Sequence, residues 1–160
     1  MKIAVLGGGN GSFAAAGDFA LQGHEVRLWR RDARQAAAHA AAGSRILVKD
    51  VAGRRNVELA LVTTDMAAAV RDTELILSPA PAFAQPDIAR LLAPHLRDGQ
   101  VVFLPPATFG TIIFAKAAQE AGNRAEASFA ETGTLPWLTR KHGELEVAIT
   151  IRAKRLPVGV

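Results

Sequence analysis

Residues 2–12 read KIAVLGGGNGS, a short apolar run followed at once by glycines and then by small polar residues. The run Ile3–Leu6 is apolar at every position, which is typical of a central parallel strand buried on both faces. Residues 11–22 are then mostly small or apolar at near-helical spacing, and Gly23 is a residue favoured just past a helix C-terminus. The stretch therefore predicts a strand, a tight turn and a helix in immediate succession.

The turn between this strand and this helix carries the spacing Gly7-x-Gly9-x-x-Ser12. Such spacing is typical of dinucleotide binding, because the first glycine makes the tight turn and the second lets a pyrophosphate approach the backbone. The N–H groups of the helix N-terminus, which includes Asn10 and Gly11, would face that pyrophosphate. Ser12 stands where glycine or alanine is usual, but it is small and its hydroxyl is a potential donor to a phosphate oxygen. The alternative is a glycine-rich turn that holds no ligand.

The rest of the chain alternates between strand and helix patterns. Strands are predicted at Glu25–Trp29, Ile46–Val48, Val57–Val62, Glu74–Leu77, Val101–Leu104, Ala125–Ala130 and Glu146–Ile151, and helices at residues 32–42, Met66–Val70, Gln85–His95 and Thr111–Ala121. Residues 53–56 are expected to form a turn, so that residues 46–62 make either a hairpin or two separate short strands. The last strand is expected to pair with the residues around Val158. Because parallel neighbours need right-handed crossovers, the pattern predicts an α/β fold. It would be a doubly wound, mostly parallel Rossmann sheet with flanking helices and a few antiparallel C-terminal or hairpin strands.

The end of the second strand is where such folds discriminate between NAD and NADP. The chain reads Trp29-Arg30-Arg31-Asp32 there. An arginine accommodates the 2′-phosphate, so Arg30, which directly follows the strand, favours NADP over NAD, and Arg31 is a second candidate for the same contact. Asp32 is the competing interpretation, because an acid at this point holds the ribose of NAD, but its spacing to Gln35 also marks a helix cap. Trp29 is expected either to flank the adenine or to lie in the core.

Two proline-containing loops leave the carboxyl ends of two neighbouring predicted strands. Ligands of open α/β sheets bind at these ends, so Pro79, Ala80, Pro81 and Thr108 are predicted to line the cofactor site. Proline fixes φ and removes a donor, which makes such loops rigid walls. The alternative is a pair of rigid connections that contact no ligand.

The composition is that of a single globular domain, which we place at residues 1–160, with 49% hydrophobic and 21% charged residues. The absence of cysteine excludes disulfides and thiolate chemistry, and the isolated histidines predict no metal site. The cations are scattered despite a net charge of +4, so no nucleic-acid partner is expected. No apolar run has membrane-spanning length, which predicts no membrane association and a cytoplasmic location.

Leu156–Val160 is apolar without a closing helix, so we expect a second domain that is missing from this chain.

Three segments together resemble one known family. They are residues 7–12, residues 23–29, and Ala130-Glu131-Thr132 with Leu135, Pro136 and Arg140. The family is the opine dehydrogenases of the octopine/nopaline type, and the resemblance is to their N-terminal domain. The resemblance covers nearly the whole chain. The family lies within the 6-phosphogluconate and glycerol-3-phosphate dehydrogenase-like Rossmann superfamily. The first two segments are shared across that superfamily, and the Ala-Glu-Thr segment favours the opine dehydrogenases.

The resemblance implies an NAD(P)-dependent oxidoreductase that transfers a hydride to the imine formed from a 2-oxo acid and an amino acid. It also implies that the catalytic histidine lies in a C-terminal helical domain, so no catalytic residue is expected here and the isolated chain is expected to be inactive. A homodimer is a further expectation.

Glu131 and Thr132 are expected near the nicotinamide end of the site, with Arg140 beyond them, because the preceding strand ends at the same sheet edge as the proline loops. The alternative for Glu131 is a surface carboxylate in a turn. At the level of the whole protein, the alternatives are the cofactor domain of a ketopantoate or glycerol-3-phosphate reductase-like enzyme and a nonenzymatic NAD(P)-sensing module.

Overall fold

The computed structural model describes residues 1–160 and contains two β-sheets and five α-helices. The strands are β1 (Lys2–Leu6), β2 (Glu25–Trp29), β3 (Arg45–Asp50), β4 (Gly53–Glu58), β5 (Leu61–Thr63), β6 (Leu75–Leu77), β7 (Val101–Leu104), β8 (Ser128–Glu131), β9 (Trp137–His142) and β10 (Glu146–Arg152). The helices are α1 (Asn10–Leu21), α2 (Ala33–Ala41), α3 (Met66–Val70), α4 (Gln85–Leu92) and α5 (Gly110–Glu120), with short 3-10 turns at Ala82–Ala84 and Ala93–His95. None of these helices is both long and apolar enough to cross a bilayer.

The larger sheet confirms the predicted Rossmann fold. Its six strands follow the order β5-β2-β1-β6-β7-β8, and every neighbouring pair is parallel. Ile3–Leu6 of β1 are fully buried at its centre, where one hydrophobic core covers each face of the sheet. The strand order changes direction between β1 and β6. Ligands of open α/β sheets bind at the carboxyl ends of the strands at such a point.

The smaller sheet has four strands in the order β4-β3-β10-β9 and packs against α1. β3 and β4 form a hairpin, while β10 runs parallel to β3 and antiparallel to β9. One core lies between the two sheets around α1, and the other lies on the opposite face of the larger sheet with α3, α4 and α5. The smaller sheet approaches α1 closely, since a Cβ on Gly17 would lie 2.6 Å from Cγ2 of Val48 in β3.

A buried carboxylate connects the smaller sheet to α1. Asp18 accepts hydrogen bonds from Trp137 Nε1 at 2.7 Å and from Arg152 Nε at 2.7 Å. Arg152 also donates to Asp50 Oδ2 at 2.8 Å, so β9, β10 and β3 are linked to one another at this point. Because a buried charge needs a partner and satisfied hydrogen bonds, these contacts hold the sheet in one position on the helix.

The hairpin differs from its predicted form. Residues 53–56, predicted as the turn, belong to β4, and the chain turns at Val51 and Ala52 instead. Residues 57–62, predicted as one strand, are divided: β4 ends at Glu58, and β5 joins the larger sheet beside β2. β4 is an edge strand with mostly exposed side chains, so a polar sequence that resembles a turn is compatible with it.

The C-terminal part also differs from the prediction. β9 has no counterpart among the predicted strands, and β8 begins at Ser128 instead of Ala125. The predicted pairing of the last strand with the residues around Val158 is wrong, because β10 has β3 on one side and β9 on the other. Both edges of β10 are therefore occupied, and Gly159 forms its backbone bridge with Glu131 of β8.

Replacing Asp18 by alanine is expected to destabilise the fold, since it leaves the buried Trp137 N–H without an acceptor and Arg152 without one of its carboxylates. Hydrogen bonds to charged groups contribute about 1.5 to 3 kcal/mol, so the free energy of unfolding in urea should fall by about that amount. Glu58→Ala is the matched control, because the Glu58 side chain is 72% exposed, and its effect should stay within about 0.5 kcal/mol. Equal losses in the two variants would contradict the role of Asp18.

Candidate dinucleotide-binding site

A cavity of about 500 Å³ opens at the carboxyl ends of β1, β2 and β6, where the strand order changes direction. Its size is that of an ordinary small-molecule or cofactor pocket. The lining residues come from the glycine turn, the end of β2, the start of α2 and the loop after β6, and they are Gly7, Gly8, Gly9, Ser12, Trp29, Arg30, Arg31, Asp32, Gln35, Pro79, Ala80, Pro81, Phe83, Ala84 and Ile88.

The glycine turn has the geometry that a pyrophosphate requires. Gly7 has φ of +124°, and a Cβ there would lie 2.6 Å from Ser12 Oγ, so only glycine fits. Gly9 has an ordinary extended conformation, and a Cβ there would meet no atom within 4 Å, so the space beside it is open to a ligand. No side chain caps the N-terminus of α1, and its first turn contains no acidic residue. The first N–H groups of α1 are therefore available to an anion.

Other residues of the turn have structural contacts. The Ser12 hydroxyl lies 3.4 Å from the Leu6 carbonyl oxygen, to which it donates, so donation to a phosphate stays a prediction. Gly11 and Asn10 do not line the cavity. A Cβ on Gly11 would lie 3.0 Å from both Leu135 Cδ1 and the Cβ of Pro79, so glycine is needed for close packing there. Asn10 Oδ1 accepts a hydrogen bond from the backbone N–H of Lys141 in β9 at 2.8 Å.

At the end of β2, the aromatic side chain and the acid both have structural partners. Trp29 is buried and donates from Nε1 to the Thr64 carbonyl at 2.9 Å, but it still contributes to the cavity wall. Asp32 caps α2 by accepting from the Gln35 N–H at 2.9 Å, as its spacing predicts. Arg31 lies at the cavity with a 66% exposed side chain, and its Nη1 is 3.6 Å from a carboxylate oxygen of Asp87.

Arg30 differs from Arg31 in being buried, with 1% of its surface exposed. Its guanidinium donates to the Gln35 carbonyl at 3.2 Å and to Gln35 Oε1 at 2.6 Å, and its Cζ lies 5.4 Å from the centre of the Phe13 ring. Its Nε is buried without a hydrogen-bond partner. Burial lowers the pKa of Arg30 from its usual value, while the Glu144 and Asp32 carboxylates oppose that shift. Arginine nevertheless stays protonated in proteins, so the site contains a fixed positive charge.

At the far side, Pro79, Ala80 and Pro81 line the cavity, whereas Thr108, Glu131 and Thr132 lie outside it. Glu131 accepts hydrogen bonds from the N–H groups of Phe109 and Thr111 and from the Thr111 hydroxyl, all within 3.0 Å. It thereby caps the start of α5. Thr132 is buried and donates to the Thr134 carbonyl at 2.8 Å. Roles for these residues at the nicotinamide end stay predictions.

The sequence reasoning missed five lining residues: Gly8, Gln35, Phe83, Ala84 and Ile88. Gly8 stands inside the quoted glycine run, and Gln35 belongs to the quoted helix cap, so both positions carried a signal. Phe83, Ala84 and Ile88 are placed by the path of the chain from β6 into α4, and nothing in their local pattern indicates a cavity.

The geometry agrees with comparisons to known proteins. A family model described as NAD-dependent glycerol-3-phosphate dehydrogenase N-terminus matches residues 2–105, from β1 to just past β7. The chain belongs to this family. It is therefore an NAD(P)-binding Rossmann domain of the opine dehydrogenase-like and glycerol-3-phosphate dehydrogenase-like enzymes, which confirms the resemblance drawn from its motifs.

Individual relatives of this domain include an opine dehydrogenase and a glycerol-3-phosphate dehydrogenase. The opine dehydrogenase of Arthrobacter sp. (strain 1C) is 33% identical over 148 residues, which are 91% of this chain and 40% of that protein. The glycerol-3-phosphate dehydrogenase [NAD(P)+] of Saccharophagus degradans is 34% identical over 100 residues, 62% of this chain and 27% of that protein. Octopine dehydrogenase, solved with NADH and pyruvate, has the same fold, with a TM-score of 0.84 at 24% identity over 99% of this chain and 42% of its own. The chain thus spans less than half the length of these relatives.

Replacing Gly9 by alanine is expected to weaken NADH and NADPH binding at least about tenfold without loss of fold, because the new methyl occupies the open space beside the turn. The free energy of unfolding should stay within about 0.5 kcal/mol of the parent protein. Gly7→Ala should instead lower it by about 1 to 3 kcal/mol, because of the positive φ. Gly133→Ala is the control, since a Cβ there meets nothing within 4 Å, and should change neither quantity. Unchanged calorimetric affinity in Gly9→Ala would refute the site.

Glu131→Gln is expected to destabilise the domain by about 1 kcal/mol at pH 7, through weaker capping of α5. Burial raises the pKa of Glu131, but the hydrogen bonds from Thr111 and Phe109 outweigh it and hold that pKa below its usual value. The stabilisation is therefore complete above the unfolded pKa of about 4.3 and disappears as the pH falls through the lower folded pKa. Urea denaturation between pH 7 and pH 3 measures the difference, with Glu120→Gln as the control at the exposed end of the same helix. A difference that does not change with pH would contradict the carboxylate's capping role.

Proposed function

We propose that this chain is the cofactor domain of an opine dehydrogenase-like oxidoreductase, which reduces the imine formed from a 2-oxo acid and the amine of an amino acid. The observation that carries the proposal is the extent of the two similarities. The family model ends at residue 105, whereas the similarity to an opine dehydrogenase extends over 148 residues. That additional length reaches into the part of the chain that forms β8, β9 and β10. In sequence, an opine dehydrogenase therefore matches more of the chain, 91%, than the glycerol-3-phosphate dehydrogenases do, which match 62% to 68% of it.

The residues present fit a nicotinamide dinucleotide. The open space beside Gly9 and the uncapped N-terminus of α1 suit a pyrophosphate, and the unpartnered Nε of Arg30 suits an anion. When bound, the nicotinamide supplies the hydride that reduces the imine carbon. Pro79 and Pro81 form a stiff wall that shields the cofactor from water, and the glycine turn fixes the cofactor's position.

The rest of the catalytic machinery is proposed to lie in a C-terminal domain. No residue of this chain is assigned a proton-transfer role, and the chain spans 40% of its opine dehydrogenase relative. In this arrangement residues 1–160 hold the cofactor, and the second domain binds the 2-oxo acid and the amino acid and supplies the acid that protonates the imine nitrogen. Glu131 and Thr132 remain candidates for the nicotinamide end. The cytoplasmic location and the homodimer remain predictions.

NADP(H) is the proposed cofactor in preference to NAD(H). Both Arg30 and Arg31 line the cavity at the end of β2, while the acid that would hold the ribose of NAD, Asp32, already caps α2. Arg31 is exposed, and its ion pair with Asp87 is long at 3.6 Å and exposed to solvent, so we assign it the direct contact with the 2′-phosphate. Arg30 adds a fixed positive charge and one unused N–H donor beside it.

Replacing Arg31 by alanine is expected to lower NADPH affinity about 10- to 100-fold, the equivalent of one charge-assisted hydrogen bond of about 1.5 to 3 kcal/mol. NADH affinity should stay unchanged, because NADH has no phosphate at this position. Arg34→Ala serves as the control, since Arg34 is exposed on α2 and outside the cavity. Calorimetry with both cofactors decides the matter, and an equal loss for NADH and NADPH would exclude a 2′-phosphate contact.

The full-length enzyme is expected to oxidise NADPH only when a 2-oxo acid and an amino acid are both present, because the imine forms from the two together. The 160-residue chain by itself should bind NADPH without oxidising it. Absorbance at the NADPH band measures NADPH oxidation by the full-length enzyme and by the 160-residue chain. Full-rate NADPH oxidation with dihydroxyacetone phosphate alone would favour the glycerol-3-phosphate reductase alternative. Full-rate NADPH oxidation with a keto acid alone would favour the ketopantoate reductase alternative.

A further inference from the structure

The turn between β9 and β10 brings charged side chains to the end of β2, far away in sequence. Glu144 in this turn has a carboxylate oxygen 3.8 Å from Nη2 of Arg30 and 3.9 Å from Nζ of Lys141 in β9. Lys141 Nζ lies 4.3 Å from the centre of the Phe13 ring, the same ring over which Arg30 lies. Two cations from different sheets therefore share one aromatic ring and one carboxylate.

The cluster of Arg30, Lys141 and Glu144 has an excess of positive charge. Arg30 is 1% exposed and the Lys141 side chain 17%, whereas the Glu144 side chain is 69% exposed. Burial and the neighbouring Arg30 lower the pKa of Lys141. His39 also stacks on Phe13, at 5.6 Å, and burial lowers its pKa, so it does not add charge near neutral pH. The exposed carboxylate of Glu144 thus faces the buried Arg30 and the partly buried Lys141, and Asp32 is the other carboxylate whose charge acts on Arg30. Arg30 Nε has no acceptor.

This cluster borders the dinucleotide cavity. A Cβ on Gly8 would lie 3.2 Å from Arg30 Nε and 3.4 Å from Nη2, so the side of the guanidinium that carries the unpartnered Nε lies next to the glycine turn. Lys141 is fixed to the same turn, because its backbone N–H donates to Asn10 Oδ1. The end of β2 beside the glycine turn is where the 2′ position of the adenosine ribose lies in this fold.

We propose that Lys141 and Glu144 determine cofactor specificity from the smaller sheet: Lys141 adds a cation to the 2′-phosphate subsite, and Glu144 is the anion that the 2′-phosphate displaces from Arg30. The proposal rests on the proposed function only in assuming that a dinucleotide occupies the cavity. An exposed carboxylate at 3.8 Å from its partner is weakly held, so it moves aside easily. While it stays in place, it repels a second anion and lowers the affinity for the phosphorylated cofactor.

The test compares ligands that differ by the 2′-phosphate alone, namely NADPH with NADH and adenosine 2′,5′-bisphosphate with AMP, by calorimetry on the 160-residue chain. Glu144→Gln should raise affinity for both phosphorylated ligands about three- to tenfold and leave NADH and AMP within about twofold. Lys141→Gln should lower affinity for the phosphorylated ligands by a similar factor. Lys141→Arg keeps the positive charge and should keep the affinity of the parent protein. Glu126→Gln and Lys116→Gln, both at exposed positions elsewhere, are the matched controls.

Thermal unfolding of each variant separates loss of fold from loss of affinity. Unchanged NADPH-to-NADH ratios in folded Glu144→Gln and Lys141→Gln overturn this proposal, whichever cofactor the parent protein prefers. The parent protein could also prefer NADH while Glu144→Gln still shifts the ratio of affinities toward NADPH. That result supports this proposal and overturns the proposed NADP preference. If none of the four ligands binds, both this proposal and the proposed cofactor-binding function are overturned.

Discussion

Helix α1 lies between two sheets, and the rest of the molecule is arranged around that constraint. Its residues from Gly11 to Asp18 are all buried, so the helix has almost no solvent-facing side along this length. Two sheets can approach so closely only if the helix carries small side chains, and Gly17 against Val48 shows how little space remains. The buried Asp18 then fixes the smaller sheet by accepting from Trp137 and Arg152.

The same helix serves the cofactor site at its other end. Its uncapped N-terminus follows the glycine turn, where we propose that the pyrophosphate binds, and Asn10 connects that turn to Lys141 of β9. The position of the smaller sheet relative to α1 therefore determines where Lys141 and Glu144 stand relative to Arg30. A sheet that contributes no lining residue to the cavity still controls the charge beside it.

The parts of this fold that follow from the sequence are those governed by neighbouring residues. β2 and β7 have the predicted bounds: β2 alternates charged and apolar residues between His24 and Arg30, and β7 is an apolar run between Gln100 and Pro105, so both patterns depend only on neighbouring residues. β9 was beyond such reasoning: its sequence WLTRKH buries Trp137 and Thr139 and exposes Leu138, so its hydrophobic pattern does not reveal which face packs. The features of the site are likewise of two kinds. The glycine spacing and the Asp32 cap depend on neighbouring residues and could be predicted, whereas the ion pair of Arg30 with Glu144 depends on how β9 and β10 fold back on α1.

The charges at the site follow from which carboxylates the fold has already engaged. Asp32 caps α2 and Glu131 caps α5, so the two acids nearest the cofactor region in sequence each serve a helix N-terminus. Arg31 and Arg30 remain at the cavity, and Arg30 is buried where water cannot screen its charge. Helix capping therefore affects the charge at the end of β2, because a carboxylate held at a helix N-terminus is less available to pair with an arginine there. Arg30 and Arg31 pair instead with Glu144 and Asp87, whose side chains are 69% and 50% exposed, so these ion pairs are weak.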